Sequence, residues 1–211
     1  MTTAMIWGAG SGIGKALTSQ LLADEWEIIA VGRNVEQFNN QATMTIEADV
    51  TNTYSVQNAI RSAGNEIDQI TLWINAFGDL FSSTVNEISP ECWQQLLGSN
   101  LTSTFLVTHF SLPILKEDAS LIFIGAMSER LPLPGLSAYA WAKSGLEDFV
   151  ETMRKEERKR RVSLVHPGVV DTPFLDKLPF RMPKDAATPE QIADRIMSAY
   201  HDGYKGVIDL S

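Results

Sequence analysis

Seven short runs of apolar, β-prone residues punctuate the chain, at 3–7, 27–31, 44–46, 70–74, 121–124, 162–165 and 206–210. Most positions in them are apolar, rather than every second one. That is the pattern of strands covered on both faces, as in a parallel sheet. Amphipathic stretches at 13–24, 53–63, 89–115, 136–158 and 188–200 alternate with them and read as helices. Ser89-Pro90-Glu91 offers an N-cap, a proline at the first helical position and an acid in the first turn. Thr188-Pro189-Glu190-Gln191 adds a capping box. There is no internal repeat, low-complexity tract or linker. Strand–helix alternation of this kind predicts an α/β fold: one doubly wound, Rossmann-type parallel sheet with helices on both faces, a single domain over 1–211. The longest predicted loop runs over 172–187 and is aperiodic.

Composition narrows the function classes. A length of 211 residues suits one large domain. A net charge of −9 argues against a nucleic-acid or anionic-membrane partner, while leaving room for a local basic pocket. Cys92 is the one cysteine, so no internal disulfide is possible, which suits a reducing compartment. The first ten residues lack the charged region of a signal peptide, and no apolar run approaches the roughly 18 residues of a membrane span. The expectation is a soluble, cytoplasmic protein. His109, His166 and His201 lack metal-ligand spacing, and no metal site is expected. The basic run at 154–161 lies at a predicted helix end, where cations complement the helix dipole.

The candidate chemistry begins at Gly8-Ala9-Gly10-Ser11-Gly12-Ile13-Gly14, between the first strand and the first helix. Glycines there let the turn reach positive φ and let backbone N–H groups approach a diphosphate at a helix N-terminus. The predicted cofactor-binding residues in this turn are Gly8, Ser11, Gly12, Ile13 and Gly14. After the second strand comes Arg33, with no carboxylate beside it. A carboxylate at this place would bind a ribose 2′-hydroxyl, whereas a guanidinium suits a 2′-phosphate, so NADP(H) is expected over NAD(H). The alternative is a solvated charge at a strand end. Further along, Tyr139 and Lys143 stand four apart, one turn on the same face of a predicted helix. Either they form a working acid/base pair, or they are one more exposed i, i+4 pair.

Taken in order, these and four further motifs resemble the short-chain dehydrogenase/reductase family over nearly the whole chain. The motifs are the Gly-x3-Gly-x-Gly turn, Asp49-Val50, Asn75-Ala76-Phe77-Gly78, Asn100 in Ser-Asn-Leu-Thr, Tyr139-x3-Lys143 and Pro167-Gly168-Val169-Val170-Asp171-Thr172. The resemblance implies that Asp49 and Val50 flank the adenine and that Asn75, Ala76 and Gly78 line the nucleotide. It further implies that Pro167, Gly168, Val169 and Thr172 cradle the nicotinamide end. Tyr139 would be the acid/base, Lys143 would hold the ribose and lower the tyrosine pKa, and Asn100 would anchor a relay water. It implies a small-molecule substrate shaped by a loop near 173–187, and a homodimer or homotetramer packed through the helices around 89–115 and 136–158.

Two departures from the family pattern matter. Trp7 stands where a threonine is usual, which predicts altered strand packing. The substrate-holding serine, expected thirteen residues before the tyrosine, is Ala126. Losing one oxyanion donor costs about 10²–10³ in rate. Ser128 would replace it if the strand stays extended past Met127. Alternatively, no hydroxyl is needed: the dihydropteridine reductases of the same family also carry Gly-Ala here and act on a quinonoid pterin. A third reading is a non-catalytic NADP(H)-binding sensor or scaffold. The leading expectation is an NADPH-preferring reductase of carbonyl or quinonoid compounds.

Overall fold

The computed structural model describes residues 2–67, 69–126, 131–178 and 186–211. Seven strands form one sheet: β1 (Thr3–Trp7), β2 (Glu27–Gly32), β3 (Met44–Glu47), β4 (Ile70–Asn75), β5 (Leu115–Ile124), β6 (Arg161–His166) and β7 (Gly206–Asp209). Their order is β3-β2-β1-β4-β5-β6-β7, and every pairing is parallel. The helices are α1 (Gly12–Ala23), α2 (Thr53–Glu66), α3 (Pro90–Leu97), α4 (Ser103–Ser111), α5 (Ser137–Glu156) and α6 (Pro189–His201).

The strand pleat sorts the core into two layers. Ala4 and Ile6 of β1, Ile28 and Ala30 of β2, and Leu72 and Ile74 of β4 face α1 and α6, where Leu17, Leu21, Ile192 and Ile196 cover them. Met5, Trp7, Ile29, Val31 and Trp73 face the other way, against Val56 and Ala59 of α2, Val107 of α4 and Leu146 and Val150 of α5. Both faces of the inner strands are therefore dry, which is why those strands show no apolar–polar alternation. Trp7 fills the second layer completely, with its indole Nε1 lacking a hydrogen-bond partner among the described residues.

Two elements differ from the sequence reading. β5 starts at Leu115 rather than 121, because Lys116, Glu117 and Asp118 read as loop while main-chain pairing holds Leu115 beside Ile70. The predicted helix at 89–115 is interrupted. A π-helical turn, Gly98–Thr102, joins α3 to α4, and a short 3-10 turn follows at Leu112–Ile114. Side chains cause the break: Ser99 Oγ donates to the carbonyls of Gln95 and Leu96, and Asn100 Nδ2 donates to Leu96 O at 2.8 Å. Hydroxyls and amides that capture i−4 carbonyls loosen the α-helical ladder. Both predicted caps are present: Ser89 accepts from Cys92 N–H, and Thr188 and Gln191 form a full capping box. In the basic run, Arg154 and Lys155 pair with Glu151, and Arg160 with Glu157.

β1 has β2 on one side and β4 on the other, so the winding direction reverses between β1 and β4. In an open α/β sheet the crevice above that reversal is where ligands bind. The loops after β1 and β4 form its walls.

Candidate functional site

The glycine turn is shaped by close backbone approach. A Cβ on Gly8 would lie 2.7 Å from Ala76 O, one on Gly10 2.2 Å from Asn34 O, and one on Gly14 2.2 Å from Gly8 O. Gly8 and Gly12 also hold φ of 86° and 49°, in the region that favours glycine. Ser11 is the N-cap of α1, yet its side chain makes no capping bond, and the first turn of α1 carries no acid. Within its own first turn, then, no carboxylate opposes the N–H groups and the helix dipole, which fits a nucleotide diphosphate. Ile13 packs into the first core layer and anchors the turn from below.

The other cofactor candidates collect around this turn. A Cβ on Gly12 would meet Thr172 Cγ2 at 3.3 Å, so the loop after β6 reaches the turn after β1. Pro167 is buried, Gly168 takes a φ of 71°, and Val169 is exposed. Asn75 is buried with Nδ2 donating to Thr104 Oγ1 at 3.1 Å, and Ala76 N–H donates to Trp7 O at 2.8 Å. Val50 packs into the second layer. Asp49 accepts from Thr51 N–H and Oγ1 at 2.9 and 2.7 Å. Those hydrogen bonds, and secondarily the Arg33 charge, hold its carboxyl below the usual range. Arg33 is exposed at the end of β2, within electrostatic reach of Asp49.

Tyr139 and Lys143 lie in the first turns of α5, and they are not an exposed pair: they are 7% and 5% exposed. Lys143 Nζ stands 5.6 Å from the Tyr139 ring centre and reaches Ile124 O at 3.5 Å; no carboxylate pairs with it among the described residues. Asn100, 3% exposed, comes from the π turn. Gly78 locates Asn100 relative to Lys143. A Cβ there would sit 2.8 Å from Asn100 Oδ1 and 3.7 Å from Lys143 Nζ, so amide oxygen and ammonium border one small space. Burial sets the protonation chemistry: it pushes the Tyr139 phenol well above its ordinary value and lowers Lys143 to about 8. Desolvation is the cause in both cases.

Ala126 follows Gly125, whose N–H donates to Val165 O at 2.8 Å at the end of β5. Ser128 lies outside the described residues, as does part of the loop at 173–187. The base of that loop is visible: Val170 and Ala187 form a parallel bridge, with Asp171 N–H donating to Ala187 O at 2.9 Å. Phe174, from the loop, holds its ring 6.0 Å from that of Tyr139. Leu80, Leu96, Leu136 and Tyr139 form a small apolar cluster with Trp93, Phe174, Leu175 and Leu178 packed on it. Phe174 and the apolar wall escape a reading of the sequence, since neither periodicity nor spacing marks them.

The model of the short chain dehydrogenase family matches residues 2–181. An uncharacterized oxidoreductase of Staphylococcus epidermidis is 26% identical over 206 residues, covering 93% of this chain and 89% of its own length. Another, from Staphylococcus aureus, is 28% identical over 180 residues, covering 80% and 78%. The short-chain dehydrogenase/reductase of Serratia marcescens superposes with a TM-score of 0.86 at 20% identity, over 99% of this chain and 95% of that one. An alcohol dehydrogenase from the archaeon Thermococcus sibiricus, complexed with 5-hydroxy-NADP, does so at 0.88 and 21%, over 100% and 96%. At such identities these structures speak to the fold, and the fold is the same. With the family match spanning most of the sequence, the chain belongs to the short-chain dehydrogenase/reductase family and is an oxidoreductase of a family that binds NAD(P)(H).

Proposed function

We propose that the protein is an NADPH-preferring reductase of a carbonyl or quinonoid small molecule, with Tyr139 as the proton donor. The observation that carries this reading is a buried trio: Asn100 and Lys143 border the space beside Gly78, and the Lys143 ammonium lies 5.6 Å from the ring centre of Tyr139. One domain would serve for both nucleotide binding and catalysis, with the loop near 173–187 shaping substrate choice. When bound, the nicotinamide nucleotide supplies the hydride. Everything else falls to the chain's own groups. Tyr139 stays protonated at neutral pH because its phenolate is desolvated, so it holds a proton ready for the substrate oxygen. Lys143, titrating near 8, is matched to return a proton to the tyrosine afterwards. Asn100 offers its Oδ1 at the rim of the same space. Arg33 supports a 2′-phosphate, being exposed at the end of β2 with no neighbouring acid in the chain before Glu36.

A second reading is a dihydropteridine-type reductase, favoured by Ala126 in place of a donor. A quinonoid ring is already conjugated and takes up hydride without a hydroxyl to polarise it. The test is NADPH oxidation by wild type and Tyr139→Phe, side by side, on ketones, aldehydes, quinones and quinonoid dihydropterin. Turnover reduced by about 10²-fold or more in the variant is expected. Turnover of the pterin alone selects the second reading. Equal turnover by both proteins would sink the role given to Tyr139. NADPH binding with no turnover by either would favour a cofactor-binding sensor instead.

A further inference from the structure

Asp79 directly follows the 75–78 turn and touches two parts of the site. Its main chain and the Asn100 carboxamide exchange two hydrogen bonds: Asp79 N–H donates to Oδ1 at 3.3 Å, and Nδ2 donates to Asp79 O at 2.9 Å. The remaining bond from Nδ2, to Leu96 O at 2.8 Å, stays within the interrupted helix. Two of the three contacts that orient Asn100 are therefore made by the peptide groups of Asp79. The Asp79 carboxylate looks elsewhere. Its Oδ1 accepts from Leu80 N–H at 2.8 Å and from the Lys177 ammonium, a residue 98 positions away. Lys177 closes the short 3-10 turn Leu175–Lys177, which follows Phe174, the residue packed against Tyr139. One short segment thus meets the tyrosine with its ring and the holder of the asparagine with its charge.

We propose that Asp79 is a positioning residue that couples the seating of the 172–178 segment to the orientation of Asn100. The inference rests on the reading that Asn100 and Tyr139 serve the same reaction. The physical basis is a strong grip joined to a weak one. The Asn100 bond to Leu96 O is buried and the two to Asp79 are part-buried, and together they keep the carboxamide fixed while Asp79 is held in place. The ion pair is half open to water, with Lys177 50% and Asp79 29% exposed, so it yields when the segment lifts for substrate or product. Once it opens, Asp79 keeps, among the described residues, the Leu80 N–H alone on its carboxylate, and its peptide groups are freer to turn away from Asn100. The relay asparagine is then best ordered when the segment is down over Tyr139, which is when a proton has to move.

The decisive experiment is amide hydrogen exchange of the full chain by NMR, for wild type, Lys177→Met, Lys177→Arg and the Asp79→Asn, Lys177→Met pair. The Asp79 N–H, which donates to Asn100, is the reporter. Lys177→Met should speed its exchange by about two- to fivefold, the range expected of a partly exposed ion pair. Lys177→Arg should restore the wild-type rate, and Asp79→Asn on top of Lys177→Met should add nothing. Amides of β1 and β2 should not change. In turnover, Lys177→Met should lower kcat by a similar factor with cofactor affinity unaltered. Unchanged exchange at Asp79 in Lys177→Met would overturn the coupling, as would acceleration spread evenly over the sheet. The exchange readout needs no substrate. Full activity in Tyr139→Phe would therefore count against the proposed reaction, while the coupling is still decided at the Asp79 amide.

Discussion

Lys143 is a charged group held where charge is disfavoured, and the cost has a pH signature. Below pH 8 both folded and unfolded chains carry its proton, and the folded state bears the whole cost of burying it. Between about 8 and the ordinary value of 10.5 the folded chain has released the proton while the unfolded chain still binds it, so stability rises with pH. Above pH 10 Tyr139 acts in the opposite sense, because the folded state keeps a phenolic proton that the unfolded state loses. Lys143→Met is therefore expected to stabilise the protein at pH 7, by about 1–3 kcal/mol, and to flatten the rise between pH 8 and 10. Thermal melts of both proteins across that range check it. An unaltered pH profile would mean that Lys143 is solvated in solution. Ala126 is the other informative residue. Ala126→Ser adds a donor at the end of β5 and should raise kcat/KM on simple ketones tenfold or more, toward the 10²–10³ that one such donor is worth. Quinonoid substrates should not respond. A variant no better on any ketone would show that position 126 does not face the reacting oxygen. Spacing singled out Tyr139 and Lys143 in the sequence, and the family resemblance singled out Asn100. The upward push of burial on the Tyr139 phenol was not legible there, because desolvation depends on what the rest of the fold packs around it.

At the scale of elements, glycines give contrasting expectations. Replacing a helical glycine by alanine ordinarily gains about 0.5–1 kcal/mol. Gly98 fits that rule, with nothing within 4 Å of an added Cβ and an ordinary φ of −55°. Gly98→Ala should be stabilising by about 0.5 kcal/mol. Gly14 reverses it, since its Cβ would lie 2.2 Å from Gly8 O. Gly14→Ala should lose about 1–3 kcal/mol, like other overpacked sites, and weaken nucleotide binding. Urea unfolding of the two variants, with NADPH titrations, distinguishes them; a stabilised Gly14→Ala would show that the turn after β1 can relax. Strands and helices were legible because apolar runs and caps are local signals. The π turn was not. The apolar pattern continues through 89–115, and the break depends on Ser99 and Asn100 side chains capturing carbonyls one turn back. The first residues of β5 were hidden for a related reason: Leu115 pairs with Ile70, but the polar Lys116, Glu117 and Asp118 fall in a register shift before the pairing resumes at Ser120.

For the molecule as a whole, the expected assembly packs through the helices around 89–115 and 136–158. Phe105 on α4 and Trp141 on α5 are 51% and 55% exposed, although Trp141 stacks on Trp93 at 5.4 Å. Phe105→Glu is expected to shift the protein to a monomeric mass in light scattering, with no change in helix content. At a net charge of −9, self-repulsion should make the wild-type assembly tighter as salt rises. A wild type that is monomeric at micromolar concentration in high salt would end that expectation. Sequence by itself determined the strand–helix alternation, the two-sided burial of the sheet and the order of the nucleotide and catalytic motifs. Each of these is written in spacing and polarity over a few residues. Tertiary structure alone decided that the loops after β1 and β4 wall one crevice, because strand order is settled by crossovers dozens of residues long. It also decided that Gly78 brings Asn100 beside Lys143, and that Lys177 reaches Asp79 across 98 positions. Contacts between distant segments depend on how whole layers pack, and no local pattern in the chain encodes them.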